Sequence, residues 1–158
     1  PAYIVSTNGR KMDKVDYLCE YVLDPAFRSW GKIDGTSLDE LWESLHSLNG
    51  VGSFIAAQVV ADLKFTERWV KADDWFTFVA PGPGSMRGMN RLRGLAPNDR
   101  KYNRAQFSMA IQPVRRIIGI GTGINLCAQD TQNCLCEFDK YMRLVTGEGR
   151  PKQTYKRT

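Results

Sequence analysis

Residues 37–65 read Ser-Leu-Asp-Glu-Leu-Trp-Glu-Ser-Leu-His-Ser-Leu-Asn-Gly-Val-Gly-Ser-Phe-Ile-Ala-Ala-Gln-Val-Val-Ala-Asp-Leu-Lys-Phe. Ser37 and Glu40 have the spacing of a capping box, in which each side chain satisfies the other residue's backbone N–H at a helix start. Leu38, Leu41, Trp42 and Leu45 then recur on one face, predicting a helix that ends near Ser47. Leu48-Asn49-Gly50-Val51-Gly52 is a tight turn. A second helix is expected from about Ser53 to Phe65, with Ile55, Ala56, Val59, Val60 and Leu63 apolar. This is the pattern of a helix-hairpin-helix. Gly50 and Gly52 let the backbone turn sharply and come close to a ligand. The amides of Val51, Gly52 and Ser53 are expected to point outward at the positive end of the second helix. There Asn49–Ser53 would hold a DNA phosphate, with a bound monovalent cation as the only cofactor expected. Such a grip does not read sequence. The plainer alternative is an ordinary turn between two helices.

Outward from the hairpin the pattern stays helical. Val15, Leu18, Cys19, Val22 and Leu23 predict a helix over 13–23 that Pro25 stops. Residues 80–85, Ala-Pro-Gly-Pro-Gly-Ser, are expected to be loop. Further helices are expected over 101–118, kinked or broken near Pro113, and over 131–145, ended by Gly147-Glu148-Gly149. The tail from Arg150 reads as basic and polar. The expectation is all-α, one helical domain over residues 1–158. With 42% hydrophobic and 25% charged residues, disordered, collagen-like and coiled-coil chains are excluded. No apolar run approaches the roughly 20 residues that span a bilayer, so no membrane partner is expected.

The net charge of +5 hides an asymmetry. Residues 12–48 hold eight acidic and three basic side chains, whereas residues 75–116 hold eight basic ones against Asp99. A basic block of that size suits nucleic acid or a phosphorylated ligand, and its plain alternative is a solvated face. Cys127, Cys134 and Cys136 cluster. The gap between Cys127 and Cys134 matches the first step of an iron–sulfur loop, but the later steps do not match and Cys19 is distant, so no metal site is expected. His46 reads as an ordinary helix-end residue.

Asp73 lies 23 residues after Gly50, with Asp74 beside it. The helix-hairpin-helix DNA glycosylases, which the hairpin resembles, carry a catalytic aspartate at about this offset, at a pocket for an extruded base. Trp69, Trp75 and Phe76 flank it. They could stack on a base or fill the core, and desolvation beside them would raise the aspartate's pKa toward that of a general base. The glycosylases that use a lysine nucleophile place it early in the second hairpin helix. Here that stretch is Gly52-Ser53-Phe54-Ile55-Ala56, so a Schiff-base mechanism is not expected.

Three more strings narrow the resemblance: Ala2-Tyr3-Ile4, residues 82–92 (Gly-Pro-Gly-Ser-Met-Arg-Gly-Met-Asn-Arg-Leu) and residues 135–141 (Leu-Cys-Glu-Phe-Asp-Lys-Tyr). With the hairpin and Asp73 they resemble the α-glutamyl/putrescinyl thymine pyrophosphorylases, glycosylase-like amino acid:DNA transferases of bacteriophages. Relatives usually carry sequence before the Ala-Tyr-Ile string, so an N-terminal segment is expected to be missing.

The resemblance implies thymine hypermodification in double-stranded DNA, in the cytoplasm of a phage-infected bacterial cell. The pyrophosphate of 5-pyrophosphoryloxymethyl-uracil would be replaced by the amine of an amino acid or polyamine, with the base flipped out. Gly82, Gly84 and Ser85 would offer amides to the pyrophosphate, and Arg87, Asn90, Arg91 and Arg93 side-chain donors. Asp73, or Asp74 in its place, would take the proton of the attacking amine. Glu137 and Lys140, three apart, would orient the amine and pair with an anion, or be a surface ion pair. The rival readings are a monofunctional glycosylase acting on a modified base and a non-enzymatic DNA-binding module.

Overall fold

The computed structural model describes residues 7, 9–31 and 35–148. The Ala2-Tyr3-Ile4 string and the tail from Arg150 lie outside them. The described residues are all helical apart from turns and irregular connections: α1 (Lys14–Tyr17), a π-helical stretch (Leu18–Leu23), α2 (Asp24–Trp30), α3 (Leu38–His46), α4 (Ser53–Leu63), α5 (Pro83–Leu92), α6 (Arg104–Thr122) and α7 (Ala128–Val145). They divide between Trp75 and Phe76 into two compact units. Among them, no helix is long and apolar enough to cross a membrane.

In the first unit the helix that opens at Lys14 does not stop at Pro25. It widens into a π turn, where the Asp24 N–H reaches back to the Cys19 carbonyl, and continues with Pro25 in the first turn of α2. The wider winding changes the buried face. Tyr17 and Val22, five apart, are buried, whereas Val15, Cys19 and Leu23, expected inside, are exposed. The capping box forms as expected: Ser37 Oγ accepts from the Glu40 N–H at 3.1 Å, and Glu40 Oε2 accepts from the Ser37 N–H at 3.2 Å. Leu38, Leu41 and Leu45 of α3 pack with Ala56, Ala57 and Val60 of α4 in the core of this unit.

In the second unit the sequence from Pro83 is helix, not loop. Pro83 sits in the first turn of α5, the position for which its fixed φ suits it. Ser85, fully enclosed, ties off the helix start: its hydroxyl accepts from the Gly82 N–H (3.2 Å) and donates to the Gly82 carbonyl (3.0 Å). α5 lies against α7 so closely that glycine is required. A Cβ on Gly88 would stand 2.1 Å from the Leu135 carbonyl oxygen, and one on Gly84 2.6 Å from Cys136 Sγ. α6 passes through Pro113 as one helix, three residues later at its start and four at its end than expected. Met109, whose carbonyl would have received the proline N–H, is 77% exposed, so water can serve that oxygen. α7 starts three residues earlier than expected, capped by Cys127 and Asp130. Val79, Met89, Phe107, Ile111, Ala128 and Leu135 form the core.

Candidate functional site

The α3–α4 turn is the first candidate surface. Gly50 adopts φ +83°, and a Cβ there would meet Val22 Cγ2 at 2.6 Å, so both conformation and packing demand glycine. One expectation changes. Val51 is buried, and its N–H donates to the Leu48 carbonyl at 3.1 Å, so that amide closes the turn and does not point outward. Gly52 and Ser53 are exposed at the start of α4, and nothing lies within 4 Å of a Cβ built on Gly52. Asn49 is also exposed. Close approach by a ligand is therefore open at Gly52 and Ser53.

The two aspartates separate into different jobs. Asp74 is half-buried and caps α3: its Oδ1 accepts from the Leu38 N–H at 2.7 Å and its Oδ2 from the Asp39 N–H at 2.9 Å. Desolvation raises its pKa, outweighing the backbone amides of Leu38 and of Asp74 itself, which favour the charged form. Asp73 is exposed. Trp69 is buried, and Trp75 donates its indole N–H to the Lys64 carbonyl at 3.1 Å; both belong to the frame of this unit.

The second unit gathers the basic residues around one buried carboxylate. Asp139, its side chain 1% exposed, accepts from Arg87 Nε on Oδ2 (2.8 Å) and from Arg91 Nε on Oδ1 (2.9 Å). Arg91 turns its two terminal nitrogens to Glu148: Nη1 reaches Oε1 at 3.2 Å and Nη2 reaches Oε2. The two carboxylates hold the Arg91 pKa above its ordinary value. Asn90 does not face a ligand, contrary to the sequence reading. It is buried, gives its amide hydrogens to the Pro97 and Arg100 carbonyls (2.9 Å each), and accepts from the Tyr102 hydroxyl (3.1 Å). It fastens the 97–102 connection to α5. Gly84 likewise faces α7, and the Gly82 N–H is taken by Ser85, so these residues build the helix start that carries Arg87. Arg93 is exposed at the end of α5, 5.9 Å from the Tyr102 ring.

A cleft opens beside these arginines. One hollow, about 430 Å³, is lined by Arg87, Arg91, Pro97, Asn98, Arg143 and Glu148. A neighbour of about 410 Å³ shares Arg87, Pro97 and Asn98 and adds Met86, Arg100, Lys101 and Tyr102 among its walls. Five cations thus line the cleft, against Glu148 and the buried Asp139. Larger hollows of 560 and 590 Å³ run along α6, but the first is lined by only two cations, Arg115 and Arg116, and the second, walled chiefly by Met109, Ile117 and Ile120, by Arg116 alone. Converging charge distinguishes the smaller pair. Glu137 and Lys140 form an exposed i,i+3 ion pair on α7. Among the described residues no group of three or more His, Cys, Asp or Glu side chains could hold a metal ion.

Sequence reading missed Asp139, Arg143 and Glu148. Asp139 and Arg143 stand four apart on α7, a spacing that puts them on one face, but the partners of Asp139 on α5 are distant in the chain.

The family model described as "5-hmdU DNA kinase, helical domain" matches residues 2–150. The chain belongs to this family. No curated protein and no solved structure matches the chain. Membership in the 5-hmdU DNA kinase helical-domain family ties the chain to the modification of thymine in DNA, with DNA as the substrate. The family description names a related hypermodification activity and not the transferase that the sequence strings resemble.

Proposed function

We propose that this helical domain is a DNA-modifying transferase of thymine hypermodification. It replaces the pyrophosphate of 5-pyrophosphoryloxymethyl-uracil in double-stranded DNA with an amino acid or polyamine amine, in the cytoplasm of a phage-infected cell. The observation that carries this reading is the cation-lined cleft of the second unit, because a pyrophosphate leaves readily only where its developing charge is met by fixed donors. Arg87 and Arg91, oriented by Asp139, are the donors we assign to it.

The α3–α4 turn supports the DNA-facing half of the reading. Gly52 and Ser53 would hold a backbone phosphate, with a monovalent cation completing the grip. Asp73 is the general base we favour. Asp74 has both carboxylate oxygens committed to the start of α3, whereas Asp73 is exposed to an incoming amine. Glu137 and Lys140 would orient that amine. The amine nitrogen attacks the exocyclic carbon on uracil C5, the carbon–oxygen bond to pyrophosphate breaks, and the nitrogen's proton passes to the general base.

The test is incubation of the chain with pyrophosphorylated duplex DNA and a pool of amines, followed by mass spectrometry of the nucleosides. Amine-substituted nucleoside and released pyrophosphate are expected. Asp73→Asn should slow transfer by about 100- to 10,000-fold with DNA affinity retained. Abasic product would identify a glycosylase, and DNA binding with no turnover a binding module. The family description favours one second reading, in which the domain serves the phosphorylation step. 5-hmdU DNA that gains phosphate from ATP in its presence, with no amine product, would establish that reading instead.

A further inference from the structure

From the geometry around Glu148 we infer that the Arg91–Arg143 end of the cleft is a seat for a terminal diphosphate, and that Glu148 is its internal occupant. This deepens the reading above and rests on it only for the origin of the diphosphate.

Arg91 has three groups of donors, and their use is divided. Nε is fixed inward on Asp139, and with Glu148 in place the whole side chain is only 8% exposed. The outer fork, Nη1 and Nη2, faces the hollow and is filled by one carboxylate, Glu148, in the two-pronged arrangement an arginine uses equally for a phosphate. Glu148 itself is 44% exposed in the turn after α7, held otherwise by the Thr146 hydroxyl at 3.0 Å. Its occupancy can therefore exchange without disturbing a helix. Arg143 and Arg87 line the same hollow, and Asn98 adds an amide. Leaving Arg91 would return Glu148 to solvent, while a diphosphate would bring more than one negative charge to three guanidinium groups. The charge balance favours the diphosphate over the single carboxylate, and over a DNA backbone phosphate, which also carries one charge. Hydrogen bonds from Arg91 and the Thr146 hydroxyl, with the nearby charge of Arg143, lower the Glu148 pKa.

The experiment is calorimetric titration of the whole chain with inorganic pyrophosphate at fixed salt. The variants are Glu148→Gln, which loses the competing charge, and Arg143→Ala, which loses a wall cation. The expected result is roughly three- to ten-fold tighter binding for Glu148→Gln, the scale of releasing one exposed ion pair. Arg143→Ala should bind at least about five-fold more weakly. A folding fault would weaken both, so opposite signs are diagnostic. Unchanged or weaker binding by Glu148→Gln, no measurable binding of pyrophosphate to the parent, or displacement of pyrophosphate by unmodified duplex would each overturn the inference. The transferase reading fails separately. Opposite signs with no amine transfer would leave the seat standing and remove the transferase. Transfer with identical pyrophosphate affinity in parent and variants would do the reverse.

Discussion

The α3–α4 turn and the α5–α7 crossing both depend on glycine, for different reasons. At Gly52 an added Cβ would meet nothing within 4 Å, whereas at Gly88 it would overlap the Leu135 backbone. One glycine leaves room for something outside the chain. The other allows two helices to meet so that residues on α5 and α7 can share Asp139. Identical residue types in the sequence thus mark an open surface in one unit and a closed joint in the other.

The sharpest way to break the closed joint is Asp139→Ala. It leaves Arg87 and Arg91 facing each other across an empty acceptor, and removing one partner of a buried pair costs about 3 to 5 kcal/mol. Because Glu148 still holds Arg91, the loss should sit near the lower figure by denaturant unfolding. Gly88→Ala comes next, with about 1 to 3 kcal/mol lost to overpacking and concentrated in the second unit by hydrogen exchange.

In the first unit, Asp74→Ala should cost about 1 to 2 kcal/mol, the scale of a lost helix cap, while Asp73→Ala should change stability by less than about 0.5 kcal/mol. The pH dependence carries a sign. A carboxyl whose folded pKa is raised binds its proton more tightly when folded. The Asp74 contribution is therefore full below the unfolded pKa and declines as pH rises through the folded one. The parent-minus-Asp74→Ala stability gap should narrow over that window. A gap that widens would contradict the burial argument.

Gly52→Val should likewise have little effect on folding, under about 0.5 kcal/mol, because its φ of −73° suits any residue and the space is empty. Its effect should appear in DNA binding, weakened alike for all sequences by fluorescence anisotropy. Sequence-selective loss would show that the turn contacts base edges.

What could be read from the sequence follows from the range of the interactions. The Ser37–Glu40 box, the α3 core face and the turn at Gly50 depend on neighbours within a few residues, and they were legible. The first helix was misread because a π turn changes the winding, so Tyr17 and Val22 became the buried pair. Pro83-Gly84-Ser85 looked like loop because its glycine serves packing against Cys136, a residue 52 positions away. The basic block around Arg87 and Arg91 was legible as charge. Its organisation was not, because Asp139 is joined to these arginines across 52 and 48 residues. Asn90 looked like a ligand donor for a different reason: its amide hydrogens go to nearby backbone carbonyls, which a sequence does not display.

Gly50, whose positive φ shapes the turn, also makes the turn chemically perishable. Asn49 is exposed and directly precedes it, and a glycine without a side chain offers little steric shield to its own amide nitrogen. Attack of that nitrogen on the Asn49 side-chain carbonyl expels ammonia and closes a succinimide ring, which water opens to aspartate or isoaspartate. An aged sample would therefore acquire a negative charge, and in part an extra backbone carbon, at the mouth of the turn assigned to a phosphate. Storage history, with no change in the encoded sequence, would then lower its apparent affinity for DNA.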